Sequence, residues 1–558
     1  MNVLEWVINR SYALGADHYF KKFIRDTVQA GDVNRQVLKE ILQGNEETVY
    51  GHLYHFDQIR NSNDYKSEVP LTSYSDYERY IEAIAAGQEN VLTTDEVQYF
   101  GLSSGTTGVQ KRIPTTAKAR NIINMSMMFL QQGSLSHVLP SVRSGGKGLL
   151  LMNMLPSGNT PIGIPTGAGT SGGMKSMEKM LRYFWTSPNE VLTIPDQQVA
   201  NYLHLLFALQ ERDLAYLASP FPSVVVQLFG VLEQQWPGII EDLSRGRISS
   251  HLALDQAQRT QLEKHLKANP FRAKELKREL NKGMQGIAQR VWPKMSYVSC
   301  VVGGSFSIYL DRLRYYIGNL PVFSAIYGAT EALIGIATKV NDVNYVITPR
   351  SAFFEFIPLE ESLDPVPTTY ELDQLKVGEM YEVVVTNVSG FYRYRMGDVI
   401  KVVDHYNQSP VIEFMYRKGQ LLNVAAEKTS EQAVQQALTL AIKAVGAILE
   451  DYTVTIDLDG TAGSYLFYIE VNEPVITQAI VDEMRNILEQ NLEEANPRYS
   501  AGVKAKHINP LDIHFVRAGT FLILKQELLR RGVSLNQVKI PRFIKEPSLI
   551  RTLEQNAL

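Results

Sequence analysis

Gly101-Leu102-Ser103-Ser104-Gly105-Thr106-Thr107-Gly108-Val109-Gln110-Lys111-Arg112 is a run of small and hydroxyl-bearing residues closed by a basic pair. Ser103, Ser104, Thr106 and Thr107 can all turn hydroxyls toward one anion. Gly105 and Gly108 let backbone N–H groups face the same point, because no Cβ stands in the way. Lys111 then supplies a mobile positive charge. This is the chemistry of a loop that folds over a polyphosphate, and it points to a nucleotide-using enzyme. The Gly-x-x-x-x-Gly-Lys-Ser/Thr order of a Walker A loop is absent. Alone, the stretch also reads as a solvated turn, so the rest of the chain has to decide.

Two further segments bear on it. Tyr327-Gly328-Ala329-Thr330-Glu331 follows the apolar run Val322 to Ile326, which predicts a buried strand. Tyr392-Arg393-Tyr394-Arg395-Met396-Gly397-Asp398 leads into a second strand-like run that ends near His405. Glu331 is a hard oxygen ligand suited to Mg²⁺. Thr330 can donate to a phosphate oxygen. Tyr327 offers a ring face for a base, or is a core tyrosine. An ionised Asp398 only accepts hydrogen bonds, which suits a pair of ribose hydroxyls. Arg393 and Arg395 stand close enough in sequence to hold it in a structural ion pair instead.

Composition fits a large enzyme. At 558 residues the chain exceeds a single core, so two or more domains are expected. A 45% hydrophobic share supplies those cores, and a formal charge of −4 leaves no footprint for nucleic acid. Cys300 is the only cysteine, so no intrachain disulfide can form; its apolar neighbours predict an inert buried thiol, compatible with the cytoplasm. Glu5 interrupts any signal-peptide core, and no run of apolar residues is long enough to span a membrane. The ten histidines include no metal-ligand spacing such as His-x-x-x-His, so no zinc site is expected. A Gly-x-Ser-x-Gly nucleophile elbow is also missing.

Along the chain, residues 2–43 have helical period, with Gly31-Asp32 as the expected break. Residues 147–154 read as a buried strand, and 157–173 as a loop rich in Gly, Pro, Ser and Thr. Residues 197–294 are mostly helical. Strands are expected at 296–302, 322–326, 344–347, 352–358, 381–387 and 399–405. After Arg417-Lys418-Gly419-Gln420 the pattern becomes helix 430–447, strands 452–458 and 465–471, helix 476–495, strand 512–517 and helix 520–531. That is a compact α+β unit.

In order and separation, the three motifs resemble the signatures of the adenylate-forming superfamily. The finer resemblance is to its auxin-responsive Gretchen Hagen branch of acyl acid amido synthetases, and it runs nearly end to end. It is carried by Val69-Pro70-Leu71 with Tyr74, by Trp292-Pro293 with Gly303-Gly304-Ser305, and by Phe354-Glu355-Phe356-Ile357-Pro358. Gly390-Phe391-Tyr392-Arg393-Tyr394-Arg395 and the closing segment Gly532 to Arg542 complete it. The resemblance implies an α/β fold: a large multi-sheet adenylate-forming domain (1–417), a hinge (418–420) and a small α+β lid (421–558). It implies a ligase that uses ATP and Mg²⁺ to activate a small carboxylic acid as acyl-AMP. The acyl group then passes to an amine, an amino acid foremost.

On this resemblance the loop hydroxyls and Lys111 hold the β- and γ-phosphates, and Thr330 meets the α-phosphate. Glu331 holds the metal, Tyr327 stacks on adenine and Asp398 takes the ribose. Lys428 matches a lysine just after the family's hinge and Lys539 one in its lid; either would neutralise charge as pyrophosphate leaves. Arg120 falls where plant relatives carry an arginine that faces a substrate carboxylate, beside the Met-rich stretch Met125 to Leu130. The departures after Lys111 and around Asn423 to Lys428 keep hormone specificity out of the transfer. Two other outcomes stay open: transfer of the acyl group to a thiol such as coenzyme A or a carrier, and a ligand-binding protein without turnover.

Overall fold

A computed structural model describes the chain except for residues 1–2, 104–110, 153, 155–157, 168, 170–182, 419–420, 423, 425–426, 428, 458–462, 473–475 and 532–537. Residues 3–6, 103, 144, 305 and 421 are described by their backbone alone. The chain forms two compact units. One comprises Met1–Val301 and Leu313–Phe414, the other Val302–Arg312 and Met415–Leu558.

Among the described residues the first unit holds three sheets. Strands Gly148–Leu150, Tyr216–Ala218, Tyr297–Ser299 and Val322–Phe323 form a parallel sheet. Parallel strands need long crossovers, and the predicted helical stretch supplies them in helices Gln197–Gln210 and Pro222–Arg245. Helix Gln197–Gln210 is buried on nearly every side; the Asp196 carboxylate caps it, accepting from the N–H groups of Gln198 and Val199. The second sheet pairs Lys111–Thr116 with Val97–Ser103, then Pro165–Gly167 and Gly158–Asn159. The third has seven strands in the order Phe353–Pro358, Met380–Thr386, Tyr394–Tyr406, Ser409–Arg417, Asn344–Ile347, Leu333–Ile336 and Ile326–Gly328.

The run expected as one strand at 322–326 is divided between two sheets. Val322–Phe323 closes the parallel sheet and Ile326–Gly328 opens at the edge of the seven-stranded one. Ser324, between them, hydrogen-bonds the buried Tyr345 hydroxyl at 2.6 Å, which holds the crossing point. Gly31-Asp32 does not break the first helix. The break falls at Gln29, between Val3–Val28 and Ala30–Gly44. Gly31 is there for close approach: a Cβ would stand 2.2 Å from an Asp373 carboxylate oxygen.

The second unit is built on strands Ile448–Asp457 and Ser464–Asn472, antiparallel, with Asp512–Phe515 added in parallel. Helices Glu431–Ala444 and Gln478–Ala495 bury Val434, Leu438, Met484 and Leu488 in a core shared with Tyr452 and Phe467. Residues 302–312, read from sequence as the tail of a strand and the run beyond it, belong to this unit instead. Tyr309 donates to the buried Asp451 at 2.8 Å, and Asp451 also pairs with the buried Arg542. No helix among the described residues is long and apolar enough to cross a membrane.

Candidate active site

The hairpin Val97–Ser103/Lys111–Thr116 sets Ser103 directly opposite Lys111, so residues 104–110 connect two paired strands. Ser104, Thr106 and Thr107 lie outside the described residues, as does the Ser103 side chain. Lys111 is held between two tyrosines. Its Nζ donates to the Tyr394 hydroxyl at 3.4 Å and lies 5.2 Å from the centroid of the Tyr74 ring. The next residue on the strand, Arg112, donates its N–H to the Tyr74 hydroxyl at 2.8 Å. The return strand of the first motif thus docks on Tyr394 of the third.

The second motif turns back on itself between Ile326–Gly328 and Leu333–Ile336, where the Ala329 N–H donates to the Ala332 carbonyl at 2.8 Å. Thr330 and Glu331 stand at the tip of this turn. A Cβ on Gly101 would lie only 2.5 Å from the Thr330 methyl, so the absent side chain of Gly101 lets the two motifs meet. The Glu331 carbonyl accepts from the Asn387 amide at 2.7 Å, which fixes the turn; the Glu331 side chain is half-buried.

Asp398 is 2% exposed and accepts from the Tyr327 hydroxyl at 2.8 Å, joining the second and third motifs. The half-buried Tyr327 ring meets Phe414 edge-on, with centroids 5.5 Å apart. Neither arginine of the third motif goes to Asp398. Arg393 is spent on the buried Glu355, on the carbonyls of Lys66 and Val69, and on the Thr369 hydroxyl. Arg395 pairs with Glu382. Arg393 adopts φ +46°, a left-handed conformation that non-glycine residues seldom hold without compensation. Its saturated guanidinium, with the Thr72 N–H donating to its carbonyl at 2.9 Å, supplies that compensation.

Arg120 sits on helix Ala117–Met125, its guanidinium carbon 5.7 Å from the centroid of the Tyr99 ring. Burial pushes the Tyr99 hydroxyl up to about 12 while Arg120 opposes the shift. The helix passes into a π-turn at Ser126–Leu130, within the Met-rich stretch, and resumes at Gln131–Val138. Lys428 lies outside the described residues. Lys539 is exposed in the second unit, just before the segment where Thr453 donates to the Pro541 carbonyl and Val454 to that of Arg542. Burial pushes the Cys300 thiol up to about 12, so it is protonated and inert at ordinary pH. No group of three or more His, Cys, Asp or Glu among the described residues is arranged to hold a metal.

Sequence reading passed over Asn387 and Glu382, and met Tyr74 only as part of the family resemblance, not as a partner of Lys111. Tyr74 and Glu382 carry no signal of their own, since their partners are set by strand register. Asn387, on a turn before Gly390, is recognisable only once that turn is seen against Glu331.

Comparison with known proteins shows the family. The GH3 family N-terminal domain matches residues 19–322, the GH3 family central domain 345–417 and the GH3 family C-terminal domain 431–548. A 4-substituted benzoates–glutamate ligase, GH3.12 of Arabidopsis thaliana, is 31% identical over 96% of this chain and 96% of its own. The indole-3-acetic acid-amido synthetase GH3.6 of the same plant is 30% identical over 96% of this chain and 92% of its own. Among solved structures, the acyl acid amido synthetase AtGH3.15 in complex with 2,4-DB has TM-score 0.87 at 28% identity, covering 96% of this chain and 95% of that one. A 2-hydroxyisobutyryl-CoA ligase in the postadenylation state has TM-score 0.51 at 12% identity, over 97% of this chain and 91% of its own, which speaks for the fold alone. The fold is that of the adenylate-forming ligases, a class that uses ATP. The chain belongs to the GH3 family and is an enzyme of the acyl acid amido synthetase class.

Proposed function

We propose that the protein activates a small organic acid with ATP as acyl-AMP and passes the acyl group to the amine of an amino acid. The observation that carries this reading is the meeting of the three motifs in the first unit: Lys111 on Tyr394, Thr330 against Gly101, and Tyr327 on Asp398. A carboxylate is a poor electrophile, because its leaving group would be oxide; joined to AMP, it has a good one. Attack at the α-phosphorus needs charge compensation and alignment. Ser103, Ser104, Thr106, Thr107 and Lys111 take the outer phosphates and Thr330 the α-phosphate. Asp398, held by the Tyr327 hydroxyl, accepts from the ribose hydroxyls, and Tyr327 borders the base.

Mg²⁺ fits this donor set. It is usually held by one or two carboxylates together with substrate phosphates, and Glu331 supplies one carboxylate on a fixed turn. Bound there, the ion would offset phosphate charge. The acid lies along Arg120 and the π-turn at Ser126–Leu130; such turns inside helices are frequent at functional sites. Lys428 and Lys539 belong to the lid, residues 421–558, beyond a hinge at 418–420, and offset charge as pyrophosphate departs. The enzyme works in the cytoplasm, where its one thiol stays reduced.

The test is pyrophosphate release from ATP across a panel of carboxylic acids, benzoates and indole acetate among them, with the second product identified after adding amino acids or coenzyme A. AMP, pyrophosphate and an amide are expected. ADP and phosphate as the nucleotide products would overturn the reading. A thioester in place of the amide would assign the second step to a thiol acceptor.

A further inference from the structure

Asp398 does not sit on a regular strand. Met380–Thr386 and Tyr394–Tyr406 pair antiparallel with Glu382 opposite Val399 and Val384 opposite Arg395, so Met396, Gly397 and Asp398 together oppose Val383. The bulge turns through Gly397, whose φ is +78°. Bulges of this kind re-aim a side chain, and they do so at the expense of ladder hydrogen bonds. Something else has to fix their geometry.

Arg395 is the last paired residue before the bulge, and Glu382 faces the first one after it. Their ion pair therefore straddles the bulge from end to end. It is two-pronged, with Nε 3.0 Å from Oε1 and Nη2 2.6 Å from Oε2, and the Glu382 side chain is 3% exposed. Arg395 is itself tied down: Nη2 also donates to the Ser362 carbonyl at 2.7 Å, and its backbone N–H to the Thr72 carbonyl at 2.9 Å. A planar guanidinium against a carboxylate fixes orientation as well as distance. On the far side, the Tyr327 hydroxyl meets the carboxylate that the bulge presents.

We infer that the Arg395–Glu382 pair is a staple across the bulge that sets the aim of Asp398, and with it the enzyme's preference for a ribonucleotide. Arg395 and Glu382 are positioning residues; neither needs to touch the nucleotide. The inference rests on the reading of Asp398 as the ribose acceptor.

The experiment compares kcat/KM for acyl-AMP formation with ATP and with 2′-deoxyATP in the full-length enzyme, in Glu382→Gln and in Arg395→Lys. Folding of each is checked by thermal melting. The wild type is expected to favour ATP about ten- to a hundredfold, the worth of a hydrogen bond to a charged group. In Glu382→Gln this preference shrinks by about tenfold through a raised KM for ATP, while kcat/KM for 2′-deoxyATP, which keeps only the 3′-hydroxyl, falls clearly less. Arg395→Lys keeps a cation without the two-pronged geometry and falls between; it carries the test if Glu382→Gln does not fold. A folded variant with the wild-type preference overturns the staple, and so does an equal loss with both nucleotides, which marks a merely structural pair. A wild type indifferent to the 2′-hydroxyl would instead remove the ribose role of Asp398.

Discussion

At the scale of single residues, the proposed function divides the site into groups assigned to meet substrate and groups that hold the backbone. Asp398 and Glu331 are of the first kind, and each is carried by a backbone fixed elsewhere: Asp398 by the bulge, Glu331 by Asn387 on its carbonyl. Removing either carboxylate should leave that backbone in place. Asp398→Ala and Glu331→Ala are expected to lose about one to two decades of pyrophosphate exchange, from roughly 1.5–3 kcal/mol of lost interaction with a charged group. Their melting temperatures should stay near that of the wild type. Near-normal exchange in either variant would remove that residue from the site. Arg393 is of the second kind. Its pair with Glu355 is buried on both sides, and breaking such a pair costs about 3–5 kcal/mol. Glu355→Ala should therefore lose soluble folded protein before it loses chemistry in any selective way.

At the scale of elements, two contacts make separate pieces act together. Gly101 lets its strand lie against the turn that carries Thr330. Gly101→Ala forces a methyl into that contact, and overpacking typically costs about 1–3 kcal/mol. Activity should fall by about tenfold or more, and Thr330→Ser in the same chain, by removing the opposing methyl, should restore part of it. An unchanged Gly101→Ala enzyme would contradict the contact. Helix Gln197–Gln210 carries a different liability. His204 is fully enclosed, its Nδ1 2.7 Å from the Ser187 hydroxyl, and burial pushes its pKa down to about 3. In the unfolded chain an imidazole titrates near 6.5. The folded value is depressed, so the stability it represents is present above about pH 6.5 and drains away as pH falls toward about 3. The slope from this residue approaches about 1.4 kcal/mol per pH unit. Urea midpoints measured down that range should drop less steeply in His204→Gln than in the wild type; parallel curves would mean the imidazole is not the group responsible.

At the scale of the whole molecule, the second unit carries Lys539 on a well-anchored segment. Asp451 takes Arg542 on one side and Tyr309 on the other, and Val454 donates to the Arg542 carbonyl. Lys539→Ala should therefore fold normally. It is expected to slow acyl-AMP formation by about ten- to a hundredfold, because departing pyrophosphate concentrates negative charge that a positioned cation offsets. Amide formation from supplied acyl-AMP should suffer less. Equal losses in the two steps would make Lys539 a structural residue.

The identity and order of the three motifs, the helical stretch of 197–294 and the alternation of elements after 430 are all legible in the chain, because each depends on spacings of a few residues that local backbone geometry enforces. The strand runs at 344–347 and 352–358 were readable for the same reason: apolar residues in short blocks have one economical way to pair. Other features depend on register between segments far apart in sequence. The division of 322–326 between two sheets, the transfer of 302–312 to the second unit, and the glycine at 31 that admits Asp373 rather than ending a helix are of this sort. So are the partners of Arg393 and Arg395: both arginines were visible beside Asp398, and only the pairing of their strand with Met380–Thr386 and the approach of Glu355 turned them away from it. Chemistry that resides in residue type and close spacing was set by the sequence alone. Which charges meet in the interior was decided by tertiary packing, since a buried guanidinium takes whichever carboxylate the neighbouring strand brings within reach.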